Sequence, residues 1–276
     1  MFFSIIIPTA NRNNFLQSCL EKLDCKVQGL SKEDYEIIVT DDGKENQAKE
    51  LIKEKFHWVQ WIEGPKCGPA ANRNNGAKYA KGEWLIFLDD DVLPDENILN
   101  SYKQGIEQNS DVLAFEGGII PDDWDLLKRD MAECPVNTEG GCFWSANICI
   151  QKKLFNEVGG FDEQFSIAAQ EDQDLFERLK IVTEIRFLKK CHVMHEVRFI
   201  PFRNKIRKIP KGIINWYLFE KKRKNFLLIL FNGTNSQCVS FLSNLKHLKL
   251  KSTLCNVITL IVLLPILVYC KLNKEI

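Results

Sequence analysis

The sequence predicts an α/β protein built on a mostly parallel, Rossmann-like sheet with helices on both sides. Over residues 1–190, short apolar runs alternate with segments of helical periodicity, and this alternation is typical of doubly wound sheets. Polar residues stand directly after several of the apolar runs. Since ligands of such folds bind beyond the carboxyl ends of the strands, we expect these polar residues to gather in one site.

Each predicted element follows from its local pattern. Strands are expected where apolar residues run together, at residues 3–8, 36–40, 58–62, 83–88 and 185–188. Helices are expected where apolar residues recur at helical spacing, at residues 13–23, 47–55, 69–80 and 170–179. Pro69 agrees with a helix start, because the first turn of a helix does not need the N–H that proline lacks.

The charge distribution divides the chain. Its 276 residues are 45% hydrophobic and 27% charged, which is typical of a globular protein with one large core or two modest ones. Residues 1–180 carry 19 Lys/Arg and 33 Asp/Glu, whereas residues 181–276 carry 18 and 4. The basic tail is therefore expected to meet an anionic surface. A membrane is favoured over nucleic acid, because the basic residues alternate with Trp, Tyr and Phe and are confined to the tail.

The tail itself falls into three segments after a first domain at residues 1–200. Residues 201–251 are basic and aromatic, residues 252–270 contain no charged side chain, and residues 271–276 form a short end. A helix over 252–270 would be about 28 Å long, close to the thickness of a bilayer's hydrocarbon core. The sequence thus predicts a membrane helix or anchor that holds the first domain at the cytoplasmic face. Asn256 and Pro265 keep a buried amphipathic helix or a re-entrant segment as alternatives.

The cysteines and the start of the chain agree with this placement. Ten cysteines include no Cys-x-x-Cys pair, and several stand in apolar contexts, which favours reduced core thiols and argues against zinc. The start has no basic segment before its apolar run, so we interpret residues 3–8 as a strand and not as a secretory signal.

The run Asp89-Asp90-Asp91 follows the apolar residues 84–88 directly. Three adjacent carboxylates at the end of a buried strand repel one another unless a cation is bound, so the run predicts a metal site. A solvated acidic turn is the alternative. The pair Asp41-Asp42 follows another predicted strand and could accept hydrogen bonds from a base or a ribose hydroxyl, although a simple turn before Gly43 would also explain it.

Two glycine-rich motifs that bind phosphate groups are absent after the first strand, and this limits how a ligand can be bound. Neither the Gly-x-x-x-x-Gly-Lys-Ser/Thr loop nor the Gly-x-Gly-x-x-Gly fingerprint follows the first strand, which argues against a glycine-rich phosphate loop. A divalent cation held by one or two carboxylates is another way to bind a diphosphate. A nucleoside diphosphate therefore fits both acidic clusters.

Taken in order, these residues resemble the family 2 glycosyltransferases of the GT-A fold. The resemblance is carried by residues 4–12, 38–43, 68–83, 87–91, 144–147, 158–165 and 170–179. It covers about residues 3–195 and stops past about residue 200. Each run is short, but their joint order and spacing are specific.

The resemblance implies an inverting transfer of a sugar from a nucleotide-sugar donor to a hydroxyl of a saccharide or lipid-linked acceptor, in polysaccharide or glycolipid assembly. It implies a divalent metal, Mn²⁺ or Mg²⁺, that neutralises the departing nucleoside diphosphate. It assigns the donor to Thr9, Asp42, Arg73, Asp89 and Asp90, the metal to Asp91 with Asp89, and the general base to Asp172.

Further residues border this predicted site. The resemblance places Trp144, Asn147 and Glu171 on the side of the acceptor or donor sugar, and His195 as a neutral imidazole that completes the metal shell. Ordinary structural roles remain open for these residues. Trp144 and Asn147 could belong to a plain core strand, His195 could be structural, and Glu171-Asp172 could simply complement the dipole of a helix start.

Two other functions fit the sequence less well than glycosyl transfer. A nucleotidyltransferase would be expected to have a glycine-rich, Arg-containing loop after the first strand, and residues 8–12 contain no glycine. A non-catalytic sugar-nucleotide-binding membrane protein would be expected to lose the triple Asp or Asp172, and both are present. The donor sugar, the nucleotide base and the acceptor do not follow from the sequence.

Overall fold

The computed structural model describes residues 1–45, 47–222 and 249–273. The chain divides into two compact units, the first made of residues 1–122 and 135–196, the second of residues 123–134 and 197–276. The strands are β1 Phe3–Thr9, β2 Tyr35–Asp41, β3 Gln60–Glu63, β4 Trp84–Leu88, β5 Val92–Pro94, β6 Ala114–Pro121, β7 Ala132–Glu133, β8 Asn147–Gln151, β9 Ile185–His195 and β10 Arg198–Phe199. The helices are α1 Asn13–Lys22, α2 Cys25–Gln28, α3 Lys49–Lys55, α4 Pro69–Tyr79, α5 Ile98–Gln108, α6 Trp124–Leu127, α7 Lys152–Glu157, α8 Glu171–Leu179, α9 Phe202–Lys222 and α10 Leu250–Asn273.

The first unit is built on an eight-stranded, mostly parallel sheet, as the sequence predicts. Its strand order is β3-β2-β1-β4-β8-β6-β9-β5. The first four strands in this order are parallel, β6 and β9 are parallel to each other, and β8 and β5 pair with their neighbours in antiparallel fashion. The two antiparallel strands were not expected, because local periodicity does not say which way a strand runs.

Helices cover both faces of this sheet because its strands are apolar on both sides. In β1, Ile5 and Ile7 belong to a core cluster that includes Leu16 and Leu20 of α1. Ile6, which points to the opposite face, belongs to a second cluster with residues of α4, α7 and α8. All three isoleucines are fully buried. The covered faces leave the carboxyl ends of β1, β2 and β4 as the place where polar side chains collect.

The second unit is mostly helical. Its strands β7 and β10 form an antiparallel pair, and Ile213 and Tyr217 of α9 cluster with Leu263 of α10. Asp130 caps the start of α10, accepting the Ser252 hydroxyl at 2.7 Å and the backbone N–H groups of Lys251 and Ser252 at 2.8 and 3.2 Å. Residues 123–134 thus join a unit that the sequence placed entirely after residue 200.

The predicted membrane helix at residues 252–270 lies inside α10. Among the residues that the structure describes, no helix is both long enough and apolar enough to cross a membrane. A spanning helix is therefore not supported. The helix includes Ser252 and Asn256, and both of these polar side chains are buried within the protein. Much of the predicted basic segment, residues 223–248, lies outside the described residues.

Candidate active site

The carboxyl edge of the parallel strands gathers the residues that the sequence singled out. Thr9 and Asp41, the last residues of β1 and β2, are paired in register, and Asp89-Asp90-Asp91 follows β4 directly. Across the gap between strands, the Thr9 hydroxyl donates a hydrogen bond to Asp90 at 2.6 Å. The fold thus brings residues 81 positions apart into direct contact.

Each carboxylate of the acidic triplet is paired with an arginine. Arg12 reaches Asp90 and Asp91, in both cases at 2.8 Å, and Arg73 reaches Asp89 at 2.7 Å. These guanidinium groups supply the positive charge that three adjacent carboxylates need. The acidic run therefore does not by itself require a metal, and repulsion among its carboxylates is no longer a sufficient reason to expect one.

Arg12 is a site residue that the sequence reasoning did not assign. It lies in the loop between β1 and α1, and its side chain is 39% exposed. The available signal was its place in the run 4–12, within the family resemblance, but local pattern gave no partner for it. Buried Asp90 is the more interior of its two partners, since its side chain has no exposed surface. Burial raises the pKa of Asp90 to about 7, although the Arg12 guanidinium and the Thr9 hydroxyl act to lower it.

Asp91 and His195 together present two ligand atoms to a cation. His195 Nε2 lies 3.5 Å from Asp91 Oδ1, and both side chains are almost fully buried. His195 Nδ1 lies 2.9 Å from the carbonyl oxygen of Glu196, and that oxygen can only accept a hydrogen bond, so Nδ1 carries the proton. In a neutral ring Nε2 then directs a lone pair at the carboxylate, an arrangement that a shared cation stabilises.

These two donors fit a cation that takes its other ligands from phosphate and water, as Mg²⁺ does in nucleotide sites. Within the described part of the chain, no cluster of three or more His, Cys, Asp or Glu side chains could hold a metal ion. Asp89, which the sequence also proposed as a metal ligand, pairs with Arg73 at 2.7 Å, as Asp91 pairs with Arg12 at 2.8 Å.

Asp41 and Asp42, the second acidic pair, differ in how deeply they are buried. Asp41 is fully buried and accepts the backbone N–H groups of Gly43 and Ala48 at 2.8 and 2.6 Å. Asp42 is only partly buried and accepts the N–H of Lys66 at 2.7 Å. Burial raises the pKa of Asp42, and the N–H groups of Lys66 and Gly68 oppose that effect. Asp42 is thus placed where a ligand can reach it. Asp41 forms the turn before Gly43 that the sequence analysis gave as the alternative to ligand binding.

Arg73 joins the acidic triplet to the second predicted carboxylate cluster. Projecting from α4, it contacts Asp89 at 2.7 Å and Glu171 at 3.2 Å, and its own side chain is 5% exposed. Burial alone would lower the pKa of the guanidinium, but Asp89 and Glu171 outweigh it and raise that pKa. Its Nε has no hydrogen-bond partner among the described residues. Arg73 therefore fixes the position of α8 against the strand edge.

Glu171 and Asp172 open α8 but differ in their surroundings. Glu171 is buried, and its other oxygen accepts the Ala169 N–H at 2.7 Å. Asp172 is partly exposed and accepts the N–H of the adjoining Gln173 at 2.8 Å. Burial and the neighbouring Glu171 raise the pKa of Asp172 to about 7. Before them Gln170 has a φ of 73°, a left-handed conformation unusual for a residue other than glycine and frequent at functional sites.

Asn147 corrects the prediction of an acceptor wall. Its side chain is 1% exposed, and its amide donates to the carbonyl oxygens of Gly118 and Cys191, both at 2.9 Å. Its own oxygen accepts the Tyr102 hydroxyl at 2.7 Å. Gly117 makes room for this amide, since a Cβ there would lie 2.2 Å from it. Asn147 thus ties strands together inside the unit.

Of the other two residues predicted for this wall, Glu171 is interior like Asn147, where it pairs with Arg73. Trp144 is partly buried and packs against the first core cluster, so part of its surface remains accessible.

Two models of known protein families match this chain. The family model described as glycosyl transferase family 2 matches residues 4–165, which is more than half of the chain. The chain belongs to this family. A second model, described as glycosyltransferase like family 2, matches residues 142–231.

Named glycosyltransferases from two bacteria are similar to part of this chain. The poly(ribitol-phosphate) beta-glucosyltransferase of Bacillus spizizenii is 37% identical over 118 residues, 41% of this chain and 18% of that protein. The GalNAc(5)-diNAcBac-PP-undecaprenol beta-1,3-glucosyltransferase of Campylobacter jejuni is 38% identical over 96 residues, 32% of this chain and 29% of that protein. The chain thus spans less than a third of the length of each.

A solved structure shows the same fold. Staphylococcus aureus TarS 1-349 in complex with UDP-GlcNAc matches with a TM-score of 0.59 at 17% identity, covering 78% of this chain and 66% of that one. The likeness extends the GT-A-like architecture over most of the present chain.

Proposed function

We propose that this chain transfers a sugar, with inversion, from a nucleotide-sugar donor to a hydroxyl acceptor, and that it requires a divalent metal. The observation that carries the proposal is the position of Asp172. It is partly exposed, its pKa is raised to about 7, and Arg73 links its helix to the acidic triplet at the carboxyl edge of the sheet.

Asp172 acts as the general base in this proposal. Inversion requires that the acceptor oxygen attack the anomeric carbon from the face opposite the leaving diphosphate, with a carboxylate on the acceptor side to take its proton. A pKa near 7 suits that task, because about half of the groups are ionised at pH 7 and the carboxylate is a stronger base than an ordinary aspartate. Glu171 cannot serve as easily, since it is buried and paired with Arg73.

The donor is expected to bind along the edge from Asp42 to Asp91. Asp42 would meet the nucleoside, and Arg73 and Asp89 would lie near the donor sugar. Asp91 and His195 would hold the metal, which when bound stabilises the negative charge that develops on the leaving diphosphate. Thr9 and Asp90 are bonded to each other and buried, so we assign them to holding this edge in place.

The relatives suggest the kind of acceptor. Their names describe glucosyl transfer to poly(ribitol phosphate) and to an undecaprenol-linked saccharide. We propose, by this similarity, that the acceptor is a saccharide or lipid-linked saccharide in polysaccharide or glycolipid assembly.

Donor binding tests the proposal first. UDP-, GDP- and dTDP-sugars are added to the full chain with Mn²⁺ or Mg²⁺, and thermal stabilisation and release of the nucleoside diphosphate are followed. We expect one nucleotide to stabilise the protein and to be turned over. If no nucleotide sugar stabilises it and none is consumed, the proposed function is wrong.

The metal requirement has its own test. Chelation with EDTA, or Asp91→Asn, should abolish turnover, because the leaving diphosphate loses its counter-charge, and Asp91→Ala should be at least as severe. Added Mn²⁺ should restore the chelated parent but not Asp91→Asn. Undiminished turnover in EDTA would contradict metal dependence.

We also propose that the second unit rests on the cytoplasmic face of a membrane with anionic lipids. Exposed basic residues Arg203, Arg207 and Lys211 are spaced four apart on α9, and Lys208 lies beside them, so they share one helical face. Leu254 and Ile261 are exposed on α10, at 49% and 67%.

A vesicle experiment measures this attachment. The full chain should float with vesicles containing phosphatidylserine at low salt and less with neutral vesicles, since each basic residue near an anionic surface contributes about 1 kcal/mol. Replacing Arg203, Arg207 and Lys211 together by glutamate should weaken flotation. Equal flotation of parent and variant would refute this surface.

A further inference from the structure

Glu116 of β6 is a buried carboxylate that the proposed chemistry does not use. It is 3% exposed and accepts the backbone N–H groups of three successive residues, Gly141, Cys142 at 3.2 Å and Phe143 at 2.6 Å. The Asn137 amide adds a fourth bond at 3.2 Å. Successive N–H groups converging on one anion form a nest, and here the anion is supplied by the chain itself.

The nest holds a loop, residues 137–143, in an unusual conformation. Gly140, Gly141 and Phe143 have φ values of 82°, 85° and 48°, all in the left-handed region that L side chains seldom adopt. Asn137 anchors the start of the loop by pairing its backbone with Ile119, at 2.9 Å in both directions. The Glu116 carboxylate anchors the end. Hydrogen bonds to a charged acceptor are about twice as strong as neutral ones, which suits them to hold such backbone.

The loop in turn contacts the first turns of α8. The carbonyl oxygen of Cys142 accepts the Gln173 side-chain amide at 2.5 Å, and Phe143 stacks on Phe176 with ring centroids 5.3 Å apart. Gln173 directly follows Asp172 and donates its backbone N–H to that carboxylate. A continuous set of contacts therefore runs from Glu116 through the loop to the predicted base.

We infer that Glu116 is a positioning residue for Asp172. It touches neither donor nor acceptor. By fixing loop 137–143, it fixes the surface against which α8 places its first turn. This inference rests on the proposed function for its kinetic consequence, but the mechanical link from Glu116 to α8 stands on contacts that can be measured without turnover.

The test compares Glu116→Gln with the parent by hydrogen–deuterium exchange and by kinetics. The amide has one acceptor oxygen and two donors, so it cannot satisfy the nest. We expect faster exchange both in 137–143 and in 171–176. We also expect kcat to fall by about 10- to 100-fold, because small misplacements of a catalytic group have effects of that order, while the donor KM changes less than twofold.

Glu36→Gln is the matched control. Glu36 is also a strand carboxylate, and it accepts the Lys81 N–H at 2.5 Å and the Ser4 hydroxyl at 2.6 Å, away from α8. Its substitution should leave both kcat and exchange in 171–176 unchanged. Gln173→Ala is the second variant, in case Glu116→Gln does not fold. It removes the hydrogen bond from α8 to the Cys142 carbonyl oxygen and leaves the Phe143–Phe176 stack, so exchange in 171–176 should rise and kcat should fall while the nest stays protected.

Each outcome decides the inference. Faster exchange confined to 137–143 in Glu116→Gln, with 171–176 as in the parent, overturns it, as does unchanged exchange in both segments. Unchanged exchange in 171–176 in Gln173→Ala overturns it equally. If the parent transfers no sugar, the proposed function fails, while exchange in 171–176 still reports whether Glu116 positions α8.

Discussion

The two carboxylate clusters of the site differ in how their charge is balanced. Asp89, Asp90 and Asp91 are each paired with Arg73 or Arg12. In the second cluster Glu171 shares Arg73, whereas no Lys, Arg or His of the described residues forms an ion pair with Asp172, which keeps a raised pKa of about 7. Burial raises the pKa of Asp90 to about 7 as well, but Asp90 is fully buried and held by Arg12 and Thr9, whereas Asp172 is partly exposed and can meet an acceptor. The comparison therefore separates a binding cluster from a catalytic residue.

The largest effect is expected when the catalytic carboxylate itself is changed. Asp172→Asn keeps the shape of the side chain but removes the proton acceptor. Sugar transfer should fall by about 10²- to 10⁴-fold, the usual contribution of a general base. Donor affinity, measured by calorimetry, should change little, because the carboxyl edge from Asp42 to Asp91 is untouched.

Glu171→Gln is the control within the same turn. It removes the charge that Arg73 pairs with, so it should affect stability more than Asp172→Asn and transfer less. If Glu171→Gln is the more damaging to transfer, the roles are reversed. If both leave transfer within a few-fold of the parent, the two carboxylates only complement the dipole of α8.

A smaller effect is expected from breaking the link between the clusters. Arg73→Met leaves buried Glu171 and the partly buried Asp89 without their cation, and removing one partner of a buried pair costs about 3 kcal/mol of unfolding free energy. The melting temperature should fall by on the order of 10 °C in a unit of this size.

Lys153→Met provides the contrast for that measurement. Its pair with Glu157 is long, 3.9 Å, and largely exposed on both sides. Exposed pairs contribute less than about 1 kcal/mol, so its melting temperature should stay close to that of the parent. Similar losses in the two variants would show that Arg73 does not join the clusters.

Much of the fold follows from local sequence. β1, β2 and β4 lie within one or two residues of their predicted bounds, because uninterrupted apolar runs such as Ile5-Ile6-Ile7 specify strands buried on both faces. The reversed direction of β8 and the short pair β7 and β10 could not be predicted, since both depend on partners distant in sequence. For the same reason nothing local placed residues 123–134 in the second unit.

The site was predictable where residues follow strands and not where side chains choose partners. Thr9, Asp41 and Asp89 collect at one edge because parallel strands end together. Which arginine pairs with each carboxylate depends on the conformation of the loops, and local sequence does not give it. The pairing of Arg12 with Asp90 and Asp91 was therefore missed. Asn147 was misplaced because β8 lies in the middle of the sheet and is buried on both faces, and this position depends on strand pairing that the sequence alone did not show.

The raised pKa values of Asp90 and Asp172 also determine how the stability of the folded protein changes with pH. The folded-state pKa values of Asp90 and Asp172 are raised from 3.8 to about 7, so the folded protein binds more protons than the unfolded chain between about pH 4 and pH 7. These two groups therefore make the protein less stable, not more, as pH rises through that window. A loss of transfer on acidification cannot come from unfolding driven by them.

The pH dependence of single-turnover transfer by the parent tests the central claim most directly. If Asp172 is the base, only its ionised form is active, and the rate should rise about tenfold per pH unit below 7 and level off above about pH 8. The inflection should vanish from the residual rate of Asp172→Asn. A rate that is flat from pH 5 to pH 9 in the parent, or an inflection that persists in Asp172→Asn, would contradict the assignment of Asp172 as the base.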